Sequence, residues 1–432
     1  MPRRLLRRLR LRAPTADTLA LQLSVVHPWG VLAALLRAPS RLLDSLTAAH
    51  HRYLDRLTAR VTQNAVLFPQ GFFCDGWGDL NTPQRLWEVL QSNRMREVNA
   101  LGAADITWTP RRTLPTARVC LEEGRFASTL PNAKQFLPAA SLDAYCELVT
   151  PSDWYNEDGS ERDVGDRTLV VLLPGTGEHG FLHRRTALAI PLARKGVATL
   201  ILEGPFYGRR RPQDQKGSKL RRVSDLPILG QATIEEAKSL LAYCQQYRGF
   251  SHLVVAGSSM GGLHAAMTAS VFPGDVGATA WLAPPSAVPV FTDGLLAASC
   301  NWTSLYKQHE LELLDKMLQG HAVTSSSSQE RSFLDEDPVQ QAKKRMRLFL
   351  SITDIDNFHP PRRCDAVTFV VGTEDEYIGA RAPEWTRLAT KWQAAHVRYL
   401  KTGHVSGILL ERDAFLTTIM DVVARLRRRP AV

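Results

Sequence analysis

The stretch SHLVVAGSSMGGLHAAM, residues 251–267, decides how the rest of the chain is read. An apolar run ends in Gly257-Ser258-Ser259-Met260-Gly261, a G-x-S-x-G pattern, and helix-like sequence follows. A serine at the tip of a sharp strand-to-helix turn sits on strained backbone with its hydroxyl exposed, so its neighbours must be small. Downstream, Gly261, Gly262, Ala265, Ala266 and Ala269 let a helix pack close beneath the strand. The pattern alone recurs by chance. Its weight depends on whether the rest of a catalytic apparatus follows in order.

Outward from this turn, apolar runs at 168–173, 197–202, 252–256, 276–282, 366–371 and 396–400 read as strands. Helix-length segments near 181–195, 227–248, 260–271, 383–393 and 407–428 separate or follow them. Strands alternating with helices predict a mainly parallel, doubly wound α/β sheet covered on both faces. Alternating runs at 118–122 and 143–149 predict an antiparallel start. The interval 284–363 is too long for a connection inside a compact domain. It holds helical stretches, a Ser-rich acidic patch at 325–338 and a basic helix, and reads as an inserted helical cap. The expected organisation is a basic leader and extension over 1–65, a core over 66–283 and 364–432, and that cap between the two core segments.

In α/β-hydrolase folds a catalytic triad runs Ser, then acid, then His along the chain. TFVVGTEDEYIG places Asp375 in a turn after a later strand, and RYLKTGHVSG places His404 after the last one. Both positions lie at carboxyl ends of strands, where open α/β sheets bind ligands. Glu374 is an alternative acid, and Asp375 could also be an ordinary turn residue. In a triad His404 takes the Ser259 proton and Asp375 orients the imidazole. An oxyanion would be held by the Met260 N–H and by an amide of the loop LPGTGEHG, Thr176 or its neighbour Gly177. That loop lacks the G-K-[ST] ending of a phosphate-binding turn. His179, Arg184 and Arg185 follow it as candidate substrate contacts, and Arg209, Arg210 and Arg211 form a second cluster. Arginine suits phosphate, but runs of it also serve as solvated surface or structural pairs.

The net charge is +10, of which residues 1–65 carry +8, with eleven Arg, three Asp and neither Lys nor Glu. The basicity is therefore terminal, and a nucleic-acid-binding body is not indicated. MPRRLLRRLRLRAPT puts its arginines on one side of a helix and Leu5, Leu6 and Leu9 on the other, with Leu11 breaking the pattern. A basic, acid-free amphipathic helix is the signature of a mitochondrial targeting segment. It would serve equally as an anchor on anionic lipid, or it is a basic tail of a cytoplasmic or membrane-peripheral protein. Residues 19–36 are uncharged, but Gln22, His27, Pro28 and Gly30 make them a poor membrane span. Six scattered cysteines show no ligand spacing, so neither metal, cofactor nor disulfide framework is indicated.

The quoted segments resemble the α/β-hydrolase domain-containing protein 18 family. The resemblance rests on LPGTGEHGFLHRR at 173–185, EGPFYGRRRPQDQ at 203–215, GSSMGG at 257–262, EDEYI at 374–378, GHVS at 403–406 and GWG at 76–78. It spans roughly 66–430, with Gly204 in place of the family's usual Asn and a divergent cap. It implies a serine acyl hydrolase without cofactor, with Ser259, Asp375 and His404 as triad, acting in mitochondria on cardiolipin, an anionic phospholipid. An acyl-ester lipid substrate, with peripheral contact to an anionic membrane, is thus expected. The alternatives are a soluble carboxylesterase or thioesterase, or a catalytically inactive lipid-binding module.

Overall fold

The computed structural model describes residues 40–64, 70–79, 96–306, 337–378 and 391–428. The basic segment 1–15, the uncharged segment 19–36, the Ser-rich patch and most of the helix expected at 383–393 lie outside the described residues.

Among the described residues, ten strands form one sheet. Four are antiparallel additions at one edge: β1 (Thr107–Trp108), β2 (Arg112–Leu114), β3 (Val119–Ala127) and β4 (Asp143–Pro151). Six run parallel: β5 (Arg167–Leu173), β6 (Ala198–Leu202), β7 (Phe250–Ser258), β8 (Gly277–Trp281), β9 (Val367–Gly372) and β10 (His396–Leu400). The order across the sheet is β1-β3-β4-β6-β5-β7-β8-β9-β10, with β2 on β3. This is the mainly parallel, doubly wound sheet of an α/β-hydrolase fold. From β5 the chain crosses to one side, to β6, and from β7 to the other, to β8. The carboxyl ends of β5 and β7 therefore flank a crevice at the switch point.

The central strands read as unbroken apolar runs because both their faces are covered. Leu169, Val171 and Leu173 of β5 pack in one layer with α2 (Asp225–Tyr247) and α3 (Met260–Val271). Val170 and Leu172 pack in the opposite layer with the helical stretch 182–193 and with α6 (Arg412–Arg427). That stretch carries a π turn at Arg185–Ala189 just ahead of Pro191, which has no N–H to give to the regular ladder.

Further helices among the described residues bear on the site. These are α1 (Ser40–Gln63), α4 (Pro338–Leu350) and the short α5 (His404–Leu409). Of these, α1 belongs to the segment read from sequence as an extension, yet Ala48, Ala49, Asp55 and Ala59 are buried. It packs on the loops that follow β9 and β10.

The glycines of the serine turn are set by contact. A Cβ on Gly261 would lie 2.6 Å from the Leu173 carbonyl oxygen and 2.7 Å from that of Pro174. One on Gly257 would lie 2.5 Å from the Gly261 carbonyl. These neighbours are backbone and cannot swing away. Gly261→Ala should therefore lower stability by about 1–3 kcal/mol, as overpacking does. A denaturation midpoint unchanged from wild type would show that α3 does not press on the loop after β5.

Candidate active site

Ser259 joins β7 directly to α3 with φ 55° and ψ −126°. A non-glycine residue in that region is strained. Its amide donates to the Trp281 carbonyl at 2.8 Å, and its own carbonyl accepts from the Gly262 amide at 2.9 Å. The turn is thereby fixed from both sides, and the hydroxyl is presented above the carboxyl edge of the sheet.

His404 opens α5, beyond β10, and is 8% exposed. Its Nε2 lies 3.0 Å from Ser259 Oγ and its Nδ1 2.6 Å from Asp375 Oδ2. A carboxylate can only accept, so Nδ1 carries the proton and Nε2 is left to accept from the serine hydroxyl. The other Asp375 oxygen accepts the Tyr377 and Ile378 amides at 2.9 and 3.1 Å, which fixes the carboxylate plane. Tyr377 also stacks on the imidazole, with centroids 5.0 Å apart. Glu374, the alternative acid, instead forms an ion pair with Arg52.

Burial alone would depress the His404 pKa. The charge and hydrogen bond of Asp375, helped by Asp55, outweigh that and hold it above the ordinary 6.5. The arrangement is what a serine nucleophile, its general base and an orienting acid require.

Thr176 and Met260 line the same cleft as Ser259, and Gly177, at φ 75°, sits beside Ser218, whose Cβ a side chain there would meet at 2.6 Å. The cleft is apolar. Leu226 and Ile234 come from α2, Leu263 and Met267 from α3, and Ala287, Phe291, Ile352 and Phe358 from the long interval between β8 and β9. His264 also lines it. Burial drives its pKa down to about 4, so it is neutral.

The three residues offered as substrate contacts have other partners. Arg184 is buried and donates to the carbonyls of Leu172 and Leu202, both at 2.8 Å, and pairs with Glu178. It ties off the ends of β5 and β6. Glu178 in turn accepts the Gly175 amide at 2.8 Å, which shapes the LPGTGEHG loop. Arg185 forks onto Glu147. His179 accepts the Gly208 amide at 2.8 Å and bonds Ser218 Oγ at 2.9 Å.

Two members of the second arginine cluster are paired in the same way, and Arg211 is exposed. Arg210 and Glu236 form a fully buried pair, and Arg209 pairs with Glu203 and Glu123. Buried, paired guanidinium groups are scaffolding, because a phosphate would have to displace a carboxylate already in place.

Two contributors were not read from sequence. Asp55 lies 349 residues before His404 in the chain, on an amphipathic helix read from sequence only as part of an extension. His264 lies in plain view after the serine turn but resembles any core histidine. A faint signal for Asp55 exists in the small and polar face 48, 51, 55, 59, which recurs at helical spacing.

Residues 70–425 match the model of the family described as alpha/beta hydrolase domain containing 18. Among solved structures, an acetyl xylan esterase from Paenibacillus sp. R4 is 13% identical, with 81% of this chain and 97% of that one covered and a TM-score of 0.45. The rice cell wall degrading esterase LipA from Xanthomonas oryzae is 14% identical, with 76% and 99% covered and a TM-score of 0.46.

Replacing Asp375 by Asn removes the charge that raises the His404 pKa. The imidazole, followed by NMR of 13C-labelled histidine, should titrate above 6.5 in the wild type and lower in Asp375→Asn. An unmoved midpoint would mean that the pair is not electrostatically coupled.

Proposed function

Because the chain belongs to the alpha/beta hydrolase domain containing 18 family, we propose that it is a serine acyl hydrolase acting on lipid esters. The observation that carries this reading is the succession Ser259 Oγ, His404 Nε2, His404 Nδ1 and Asp375 Oδ2 within hydrogen-bond distance.

Ser259 Oγ attacks the acyl carbonyl while His404 Nε2 takes its proton, and Asp375 stabilises the imidazolium. The Met260 and Thr176 amides receive the oxyanion. Collapse of the tetrahedral intermediate breaks the ester bond, and His404 returns its proton to the leaving alkoxide. Water then repeats the sequence on the acyl-enzyme and releases the free acid. No step needs a cofactor or metal.

The substrate side of the proposal rests on the cleft. Its apolar lining reaches Ser259 from α2, α3 and the long interval, which suits an acyl chain. A phospholipid is the proposed ester, with cardiolipin first among them on the resemblance of the LPGTGEHGFLHRR and EGPFYG segments. Localisation to mitochondria, and contact with an anionic membrane surface, are proposed on the basic segment 1–15.

Acid release should be measured from cardiolipin-containing vesicles and from p-nitrophenyl butyrate in parallel. Wild type is expected to act on the vesicles, and Ser259→Ala to lose about four orders of magnitude or more in kcat, as removal of a nucleophilic serine does. Turnover of the soluble ester alone would reject the lipid substrate. Turnover retained in Ser259→Ala would reject the mechanism.

A further inference from the structure

Helix α1 precedes the span 70–425 that matches the family, yet it closes the site from behind. Asp55, midway along it, is fully buried. Its carboxylate accepts three backbone amides: His404 at 2.9 Å, Val405 at 2.8 Å and Glu376 at 3.2 Å. The first two begin the segment that carries the imidazole. The third is the residue after Asp375. One side chain therefore fastens the loop of the base to the loop of the acid.

The rest of α1 is pinned around this point. His51 Nδ1 lies 2.8 Å from Ser406 Oγ, Arg56 forks onto Glu376 at 2.7 and 2.6 Å, and Arg52 pairs with Glu374. Gly403 allows the approach, because a Cβ there would meet Asp55 Oδ2 and the His51 carbonyl oxygen at 3.0 Å.

Burying a carboxylate is costly unless its oxygens are satisfied. Here three amides satisfy them. Burial pushes the Asp55 carboxyl above its ordinary range, and those amides oppose the rise. The ionisable groups around it are His404, Asp375 and Tyr377 from the two loops, Glu374 and Glu376 paired to arginines, and His51 from its own helix. A negative charge at this place favours the cationic form of His404, the form that exists while the serine proton is held.

We propose that Asp55 is a positioning residue for the reaction, holding the His404 and Asp375 loops in register and adding a second negative charge beside the imidazolium. Its consequence for turnover rests on the serine-hydrolase reading above. Its effect on His404 does not.

The test uses the full-length protein labelled with 13C-histidine, with His404→Gln assigning the resonance, alongside kcat/KM for p-nitrophenyl butyrate across pH. In Asp55→Asn the His404 midpoint is expected to fall. The acid limb of kcat/KM should move to lower pH with it, and the plateau should drop about tenfold or more, the size typical of a disturbed catalytic geometry. Asp55→Glu, which keeps the charge, should recover the midpoint. An unchanged midpoint and unchanged kcat/KM in Asp55→Asn would overturn the proposal. A shifted midpoint in a protein whose wild type turns over no ester would uphold the positioning role and reject the hydrolase reading. Should Asp55→Asn not fold, Asp55→Ser, which removes the charge and shortens the side chain, gives the same comparison: a lowered His404 midpoint supports the role, and an unmoved one overturns it.

Discussion

Ser259 is held at positive φ because there is no room for any other path. Only Ser259 separates the end of β7 from the start of α3, whose first turn lies against the carbonyls of Leu173 and Pro174 at the end of β5. That contact fixes the distance between the serine and the loop that would supply the second oxyanion donor. It also requires glycine at 257 and 261, and it places the hydroxyl in the crevice where the connections from β5 and β7 diverge. The strain at one residue is the structural cost of bringing a strand end, a helix start and a loop to a single point.

A second level of organisation keeps the partners of Ser259 in place. The LPGTGEHG loop is held by Glu178, which is held by Arg184, which ties the carbonyl ends of β5 and β6. The Asp375 and His404 loops are held by a carboxylate and two arginines from α1. Both arrangements use buried or half-buried charge on backbone amides and carbonyls. Such networks specify geometry more than they add stability, since each ion gives up solvation to be there.

The sheet was legible because its central strands are covered on both faces and so appear as apolar runs between glycines and turns. β10 occupies the residues read for it, and β7 extends two residues further at each end than its apolar run. The serine turn, the acid and the histidine were legible for a different reason, since each follows a strand end in a short segment of restricted composition. The arginine clusters left phosphate contact and surface or structural pairing both open. Arg185 and Arg210 pair with Glu147 and Glu236, 38 and 26 residues away in the chain, and Arg184 pairs with Glu178 and the carbonyls of Leu172 and Leu202, partners that only the fold reveals. Asp55 was illegible on the same grounds, as one acid on an amphipathic helix whose importance comes only from where that helix docks.

The strained Ser259 is proposed as the nucleophile and His404 as its base, and peptide mapping by mass spectrometry after reaction with a fluorophosphonate tests that assignment. One adduct is expected, on the peptide containing Ser259, at a rate that collapses in His404→Ala. An adduct on another serine, or none on folded wild-type protein, would contradict it.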